Sequence, residues 1–163
     1  MLAVIEQAEQ GYTARFERHL KHSVQSVWGA LTDNDKLAKW FSELRIDDLR
    51  VGGAVKFDMG DGTFEEMEIT EMKPDSVLEY AWGKDQVRFE LYPEEDGCRL
   101  LLIERIGQIT GHTPKDLAGW HVCLEVMNAV LESRTVESRE DDWKSWYAKY
   151  QELVGEIPGS EEQ

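Results

Sequence analysis

No stretch of this sequence approaches the roughly 20 consecutive apolar residues that a bilayer-spanning helix needs. The opening MLAVIEQAEQ has neither the basic start nor the sustained apolar run of a secretory signal. The expectation is a cytoplasmic protein. Basic residues are scarce, with 18 Lys and Arg against 33 Asp and Glu and a formal charge of −15. A surface of that sign repels phosphate backbones and anionic lipid headgroups, so neither nucleic acid nor membrane is expected as a partner. Cysteine is almost absent. Cys98 and Cys123 have no paired spacing, and in a reducing compartment they read as buried thiols rather than a disulfide. There is no CxxC, no HExxH and no cluster of His and Cys able to complete a four-ligand site, so neither a metal nor another cofactor is expected.

What is present suits one domain: 163 residues, 41% of them hydrophobic, are enough for a substantial core. GYTARFERHLKHS alternates as a strand, with Tyr12, Ala14, Phe16 and Leu20 on one parity. Ser23 can cap a helix carrying Val24, Val27, Trp28 and Leu31, and a second short helix starting at Asp33 or Asp35 would present Leu37, Trp40 and Phe41. Five runs of period two follow Gly52-Gly53: AVKFDMG, GTFEEMEITEM, SVLEYAW, QVRFELYPE and CRLLLIERI. The turn residues between them predict an antiparallel meander. A long helix is predicted from Pro114 to near Glu137. Strands and helices are segregated, so the class is α+β. We divide the chain into an amino-terminal extension (1–11), one domain (12–154) and a flexible tail (155–163).

On the long helix Leu117, Trp120, Leu124, Met127 and Leu131 form one stripe, with His121 and Asn128 on its flank. Residues two apart on a helix do not face each other, which argues against a Cys123–His121 dyad. No catalytic residue is assigned. His121 and Asn128 read either as buried polar groups satisfied inside the protein or as contacts for a ligand. Trp40, Phe41, Phe57, Met59, Met67, Trp82, Phe89, Trp120 and Met127 would converge between sheet and helix. They form either a closed core or the aromatic, adaptable wall of a small-molecule pocket. A last apolar stripe, Trp143, Trp146, Tyr147, Tyr150 and Val154, must cover something. Val122, Val126 and Ala129 on the back of the long helix are one candidate, and a homodimer or partner interface is the other.

The element order, the ERHLKHSVQSVWGALTDNDKLAKWF opening, the VGGAVKFDMGDG turns and GWHVCLEVMNAVL together resemble the activator of heat-shock-protein-90 ATPase family within the START-like, or helix-grip, superfamily. The resemblance covers about residues 12 to 154. It implies a curved antiparallel sheet wrapped around the long helix. It also implies a cavity lined by the residues above with His121, Leu124 and Asn128, open to a hydrophobic small molecule, a lipid or an aromatic compound. In that topology the first and last strands are neighbours. Arg18 shares parity with Phe16 and Leu20, and Glu104 with Leu100, Leu102 and Ile106, so a buried Arg18–Glu104 pair is expected unless a bulge turns Arg18 to solvent. The resemblance also offers a chaperone-interaction module. The two-domain co-chaperones carry a separate amino-terminal chaperone-binding domain for which this length leaves no room, so that activity is not transferred by name. A cyclase- or lyase-like enzyme is the third reading, with no residue pair to identify its chemistry.

Overall fold

The computed structural model describes residues 1–157. Strand β1 (Val4–Gln7) and strand β2 (Tyr12–Leu20) are followed by helices α1 (Val24–Thr32) and α2 (Asn34–Trp40). Six strands come next: β3 (Leu44–Ile46), β4 (Ala54–Asp58), β5 (Phe64–Lys73), β6 (Val77–Trp82), β7 (Asp85–Glu94) and β8 (Gly97–Ile106). Helices α3 (Thr113–Leu131) and α4 (Arg139–Gly155) complete the chain. All eight strands join in one antiparallel sheet of order β1-β2-β8-β7-β6-β5-β4-β3. The chain has the α+β helix-grip fold, a sheet curved around α3.

Local chemistry explains most element boundaries. The Ser23 hydroxyl accepts from the Ser26 amide at 3.1 Å and starts α1, and the Asp33 carboxylate accepts from the Asp35 amide at 3.0 Å and starts α2. Gly97 opens β8 at φ 154°, where a Cβ would lie 2.0 Å from the carbonyl oxygen of Leu20, so the β2–β8 junction admits glycine alone. Val87, Phe89 and Leu91 alternate inward from β7, as do Leu100, Leu102, Glu104 and Ile106 from β8. On the opposite face Arg88 gathers Glu71, Glu79 and Glu90. Strand β3 has no alternating run long enough to be read from sequence. Residues 1–11, read as an extension, contain the edge strand β1. Of the proposed tail, residues 158–163 lie outside the described residues.

Two expectations are corrected. Helix α3 ends at Leu131, not near Glu137: Ser133 takes a left-handed φ of 58° and the Arg134 amide returns to the Ala129 carbonyl, which closes the helix. The Arg18–Glu104 pair does not form. Across β2 and β8, Arg18 sits opposite Leu100 and Glu104 opposite Ala14. Four residues of offset at about 3.3 Å each put them roughly 13 Å apart. Arg18 is half-buried. It donates through Nη1 to its neighbour's carbonyl, Glu17 O, at 2.8 Å, and faces Tyr150 and Glu125.

Twelve of the 19 residues of α3 are buried, on more than one face. The sheet takes Leu117, Trp120, Leu124 and Met127, while α4 covers the back, where Val122, Val126 and Ala129 are buried. The terminal aromatic stripe thus packs within the monomer. Tyr150 is the fully buried anchor of this layer. Its hydroxyl accepts from the Ala3 amide at 3.0 Å and lies 2.7 Å from His121 Nδ1. Burial first, then Arg18 and the chain amino terminus, push the His121 pKa down to about 3, so the ring is neutral. The pattern assigns the proton to Nε2: Tyr150 donates to Nδ1, and Nε2 donates to Glu125 Oε1 at 3.1 Å as a hydrogen bond rather than an ion pair. Trp146 stacks on the imidazole at 3.7 Å.

Tyr150→Phe therefore strands the Ala3 amide and His121 Nδ1 together. Urea denaturation is expected to show a loss of about 2–4 kcal/mol, two unsatisfied buried groups at roughly 1–2 kcal/mol each. A loss under about 0.5 kcal/mol would mean that water replaces the hydroxyl.

Candidate functional site

The grip of sheet on helix is incomplete at the amino-terminal end of α3, and two cavities open there. The first, about 690 Å³, lies between the β4–β5 side of the sheet and the β8–α3 connection. It is lined by Phe57, Met59, Glu65, Met67, Trp82, Asp85, Glu104, Ile106, Thr113 and Asp116 among others. The second, about 670 Å³, lies between α2, α3 and the start of α4. Its walls include Phe41, Trp82, Gly119, Trp120, Cys123, Arg139 and Trp143. The two share Phe57, Trp82, His112 and Asp116, so they adjoin at the Trp82 indole.

An aromatic cluster forms the partition. Trp82 and Trp120 have centroids 4.9 Å apart, Phe41 lies 5.4 Å from Trp120 and 5.9 Å from Trp82, and Phe57 lies 5.9 Å from Trp82. Such tilted and edge-to-face contacts hold large rings in fixed orientations. The Trp82 indole is further held by donating through Nε1 to Asp116 Oδ1 at 2.9 Å. That bond ties the end of β6 to the first turns of α3.

The residues proposed from sequence divide into three groups. Phe57, Met59, Met67 and Trp82 line the first cavity, and Phe41, Phe57, Trp82 and Trp120 the second. Trp40, Phe89, Leu124 and Met127 are buried and line neither. Trp40 donates to the Ala30 carbonyl at 2.7 Å, and Phe89 packs 5.8 Å from Trp120. His121 points to α4, and Asn128 donates to Glu132 Oε1 at 2.9 Å, so both amide and imidazole find partners within the protein. Sequence reading missed Asp116, Asp85, His112, Gly119, Arg139 and Trp143. Two signals were available: a glycine inside a strong helical pattern, and an indole that needs an acceptor.

Among the lining residues the Trp120 indole nitrogen is buried without a hydrogen-bond partner, and the oxygens of buried Glu104 accept from no donor, its carboxyl meeting that of Asp116. Glu104 stands inward on β8, 1% exposed. Burial first, then the adjacent Asp116 carboxyl, then Asp85, raise its pKa well above the usual carboxylate range. Cys98 and Cys123 are both free and buried. Burial pushes the Cys123 thiol up to about 12, and Arg139 reaches its Sγ at 3.3 Å and the Trp40 carbonyl at 3.1 Å, which latches the start of α4 over the second cavity. Among the described residues there is no group of three or more His, Cys, Asp or Glu that could hold a metal ion, and no helix long and apolar enough to cross a membrane.

The family model described as Activator of Hsp90 ATPase homolog 1-like protein matches residues 21–132. No curated protein matches the chain. Among solved structures, a conserved protein of unknown function, EF2215 from Enterococcus faecalis, is similar at 27% identity and a TM-score of 0.84, over 94% of this chain and 90% of that one. CalU16 from Micromonospora echinospora shares the fold at 18% identity and a TM-score of 0.73, covering 93% and 94% of the two chains. A Bordetella parapertussis protein shares it at 21% identity and a TM-score of 0.70, covering 92% and 91%.

The raised pKa of Glu104 carries a sign. The folded state holds this proton more tightly than the unfolded chain, so its contribution to stability is fully present below the unfolded carboxylate pKa. It is lost as pH rises towards the folded value, at no more than about 1.4 kcal/mol per pH unit. Glu104→Gln keeps the shape without the titration. Its stability relative to the native chain is expected to increase between pH 4.5 and pH 8 in denaturant titrations. A difference that stays flat with pH would show that Glu104 is ionised in the folded protein.

Proposed function

The chain belongs to the Activator of Hsp90 ATPase homolog 1-like family, and we propose that within it this protein binds a hydrophobic or aromatic small molecule, without turnover, in the adjoining cavities at the amino-terminal end of α3. The observation that carries this reading is the meeting of two aromatic-walled spaces of about 690 and 670 Å³ at one indole. Volumes of this size match drug-sized ligands, and largely apolar walls with a few fixed polar groups are what such sites use. The unpartnered Trp120 nitrogen supports it further, since it costs free energy until something pairs with it. The family description names a chaperone ATPase. The concave, aromatic geometry favours a small molecule as the partner.

Gly119 gives the test its specificity. It lies inside α3 and lines the second cavity, and a Cβ built on it meets nothing within 4 Å. Hydrophobic aromatics and fatty acids are expected to raise the melting temperature with concentration, by roughly 5–10 °C at a hundred times Kd. Gly119→Leu should itself stabilise the fold by up to about 1 kcal/mol through helix propensity, while abolishing the shift from ligands that occupy the second cavity. If no compound shifts the native protein, the reading is wrong. If the shifts survive Gly119→Leu, the second cavity is not the site.

A further inference from the structure

Among the described residues Glu104 is the one buried acid, and the mechanism of a purely apolar pocket has no use for it. Its neighbours Leu102 and Ile106 on the same inward face are ordinary core residues, and Glu104 replaces what would be a third. The groups around it come from several elements. Asp116 faces it from α3 and Asp85 from the start of β7, while Glu65, Lys84 and His112 line the same cavity. Asp116 already accepts from the Trp82 indole at 2.9 Å and Asp85 from the Gly107 amide at 3.1 Å, whereas both Glu104 oxygens have no donor. Lys84 is exposed and forms no ion pair with any of them. Lys84, His112 and Thr113 line the same cavity, yet none of them donates to Glu104, so its carboxyl and that of Asp116 stand together beside the rings of Trp82 and Phe57.

We propose, on the reading of this cavity as a ligand site, that its polar end receives the protonated amino group of a lipophilic amine, seated between Glu104 and Asp116 with its apolar part against Phe57, Met67 and Trp82. An ammonium group offers three donors and no acceptor, the complement of what the carboxyls present. The adjacent aromatic faces attract a cation as well as an apolar skeleton. A carboxylate ligand is repelled, and a neutral alcohol satisfies fewer acceptors. The exchange balances in protons. In the empty site Glu104 keeps its proton to higher pH than a free carboxyl, because burial and the nearby carboxyls disfavour a further negative charge. When R–NH₃⁺ enters, the Glu104 O–H bond breaks, the proton leaves to solvent, and the carboxylate pairs with the ammonium. The buried charge of the site is unchanged by the swap.

Calorimetric titration at pH 7 with naphthylethylamine and its neutral isostere naphthylethanol, in two buffers of different ionisation enthalpy, tests this. The amine is expected to bind at least about ten-fold more tightly than the alcohol, and to release whatever proton Glu104 holds in the empty site. In Glu104→Gln the amine should lose its advantage over the alcohol and release no proton. An amine no tighter than the alcohol, or an advantage that Glu104→Gln leaves intact, overturns the proposal. Binding of the alcohol alone sinks the amine proposal and leaves the cavity reading standing. If neither probe binds, both fall.

Discussion

A helix that is apolar on most of its circumference must be covered on most of its circumference, and α3 imposes that constraint on every other element. Leu117, Leu124 and Met127 each contribute about 1.5–3 kcal/mol by leaving water, but only if a surface of matching shape meets them. The curved sheet supplies that surface on one side. It cannot reach the back, where Val122, Val126 and Ala129 would otherwise be wet, and α4 is laid there to close it. The relay from the Ala3 amide through Tyr150 to His121 and Glu125 joins the beginning of the chain, the central helix and the last helix in one polar seam. The neutrality of His121 follows from the same enclosure, because a charged ring there would have to be desolvated beside Arg18 and the amino terminus.

The cavities lie where this covering runs out. Towards its carboxyl end α3 presents Leu124 and Met127 to a closed interior; towards its amino end it presents Asp116 and Gly119, one polar and one without a side chain. The large rings of Phe41, Phe57, Trp82 and Trp120 cannot fill so irregular a space and instead stand around it, fixed by each other and by the Trp82–Asp116 bond. A buried carboxyl at the edge of an aromatic hollow sits in a low-dielectric position, which raises its pKa. The cavities and the electrostatics of Glu104 are two consequences of one packing defect. The Arg139 latch, from α4 to Cys123 and Trp40, sets how far the second space is open.

Much of this was readable along the chain. Alternation gave the inward faces of β2, β7 and β8, the caps at Ser23 and Asp33 fixed two helix starts, and the two stripes of the long helix predicted both the sheet and the covering helix on its back. Of the site, Phe41, Phe57, Met59, Met67, Trp82 and Trp120 were legible as inward residues of either core or wall, because large aromatic and Met side chains at such positions have few other places to go. The inward placement of Glu104 was also legible from its parity with Leu102 and Ile106. Its partner was not. Parity says which face a strand residue takes and nothing about which residue of the neighbouring strand lies opposite, so Arg18 and Glu104 could be set on the same side of the sheet and still be four residues out of step.

The sequence by itself determined the α+β class, the order of the elements apart from the short strands β1 and β3, the acidic composition and the apolar faces, because these depend on local periodicity, turn chemistry and composition. Tertiary structure alone decided three things. It set the β2–β8 register that parted Arg18 from Glu104, it stopped α3 at Leu131 through the left-handed Ser133, and it brought Asp116 to face Glu104 across the cavity. The last of these joins residues twelve positions apart through a loop whose path no periodicity encodes. Whether an inward side chain fills the core or borders a hollow depends on the volume its neighbours leave, as Met127 and Trp82 show, and that volume exists only once the sheet has closed on the helix.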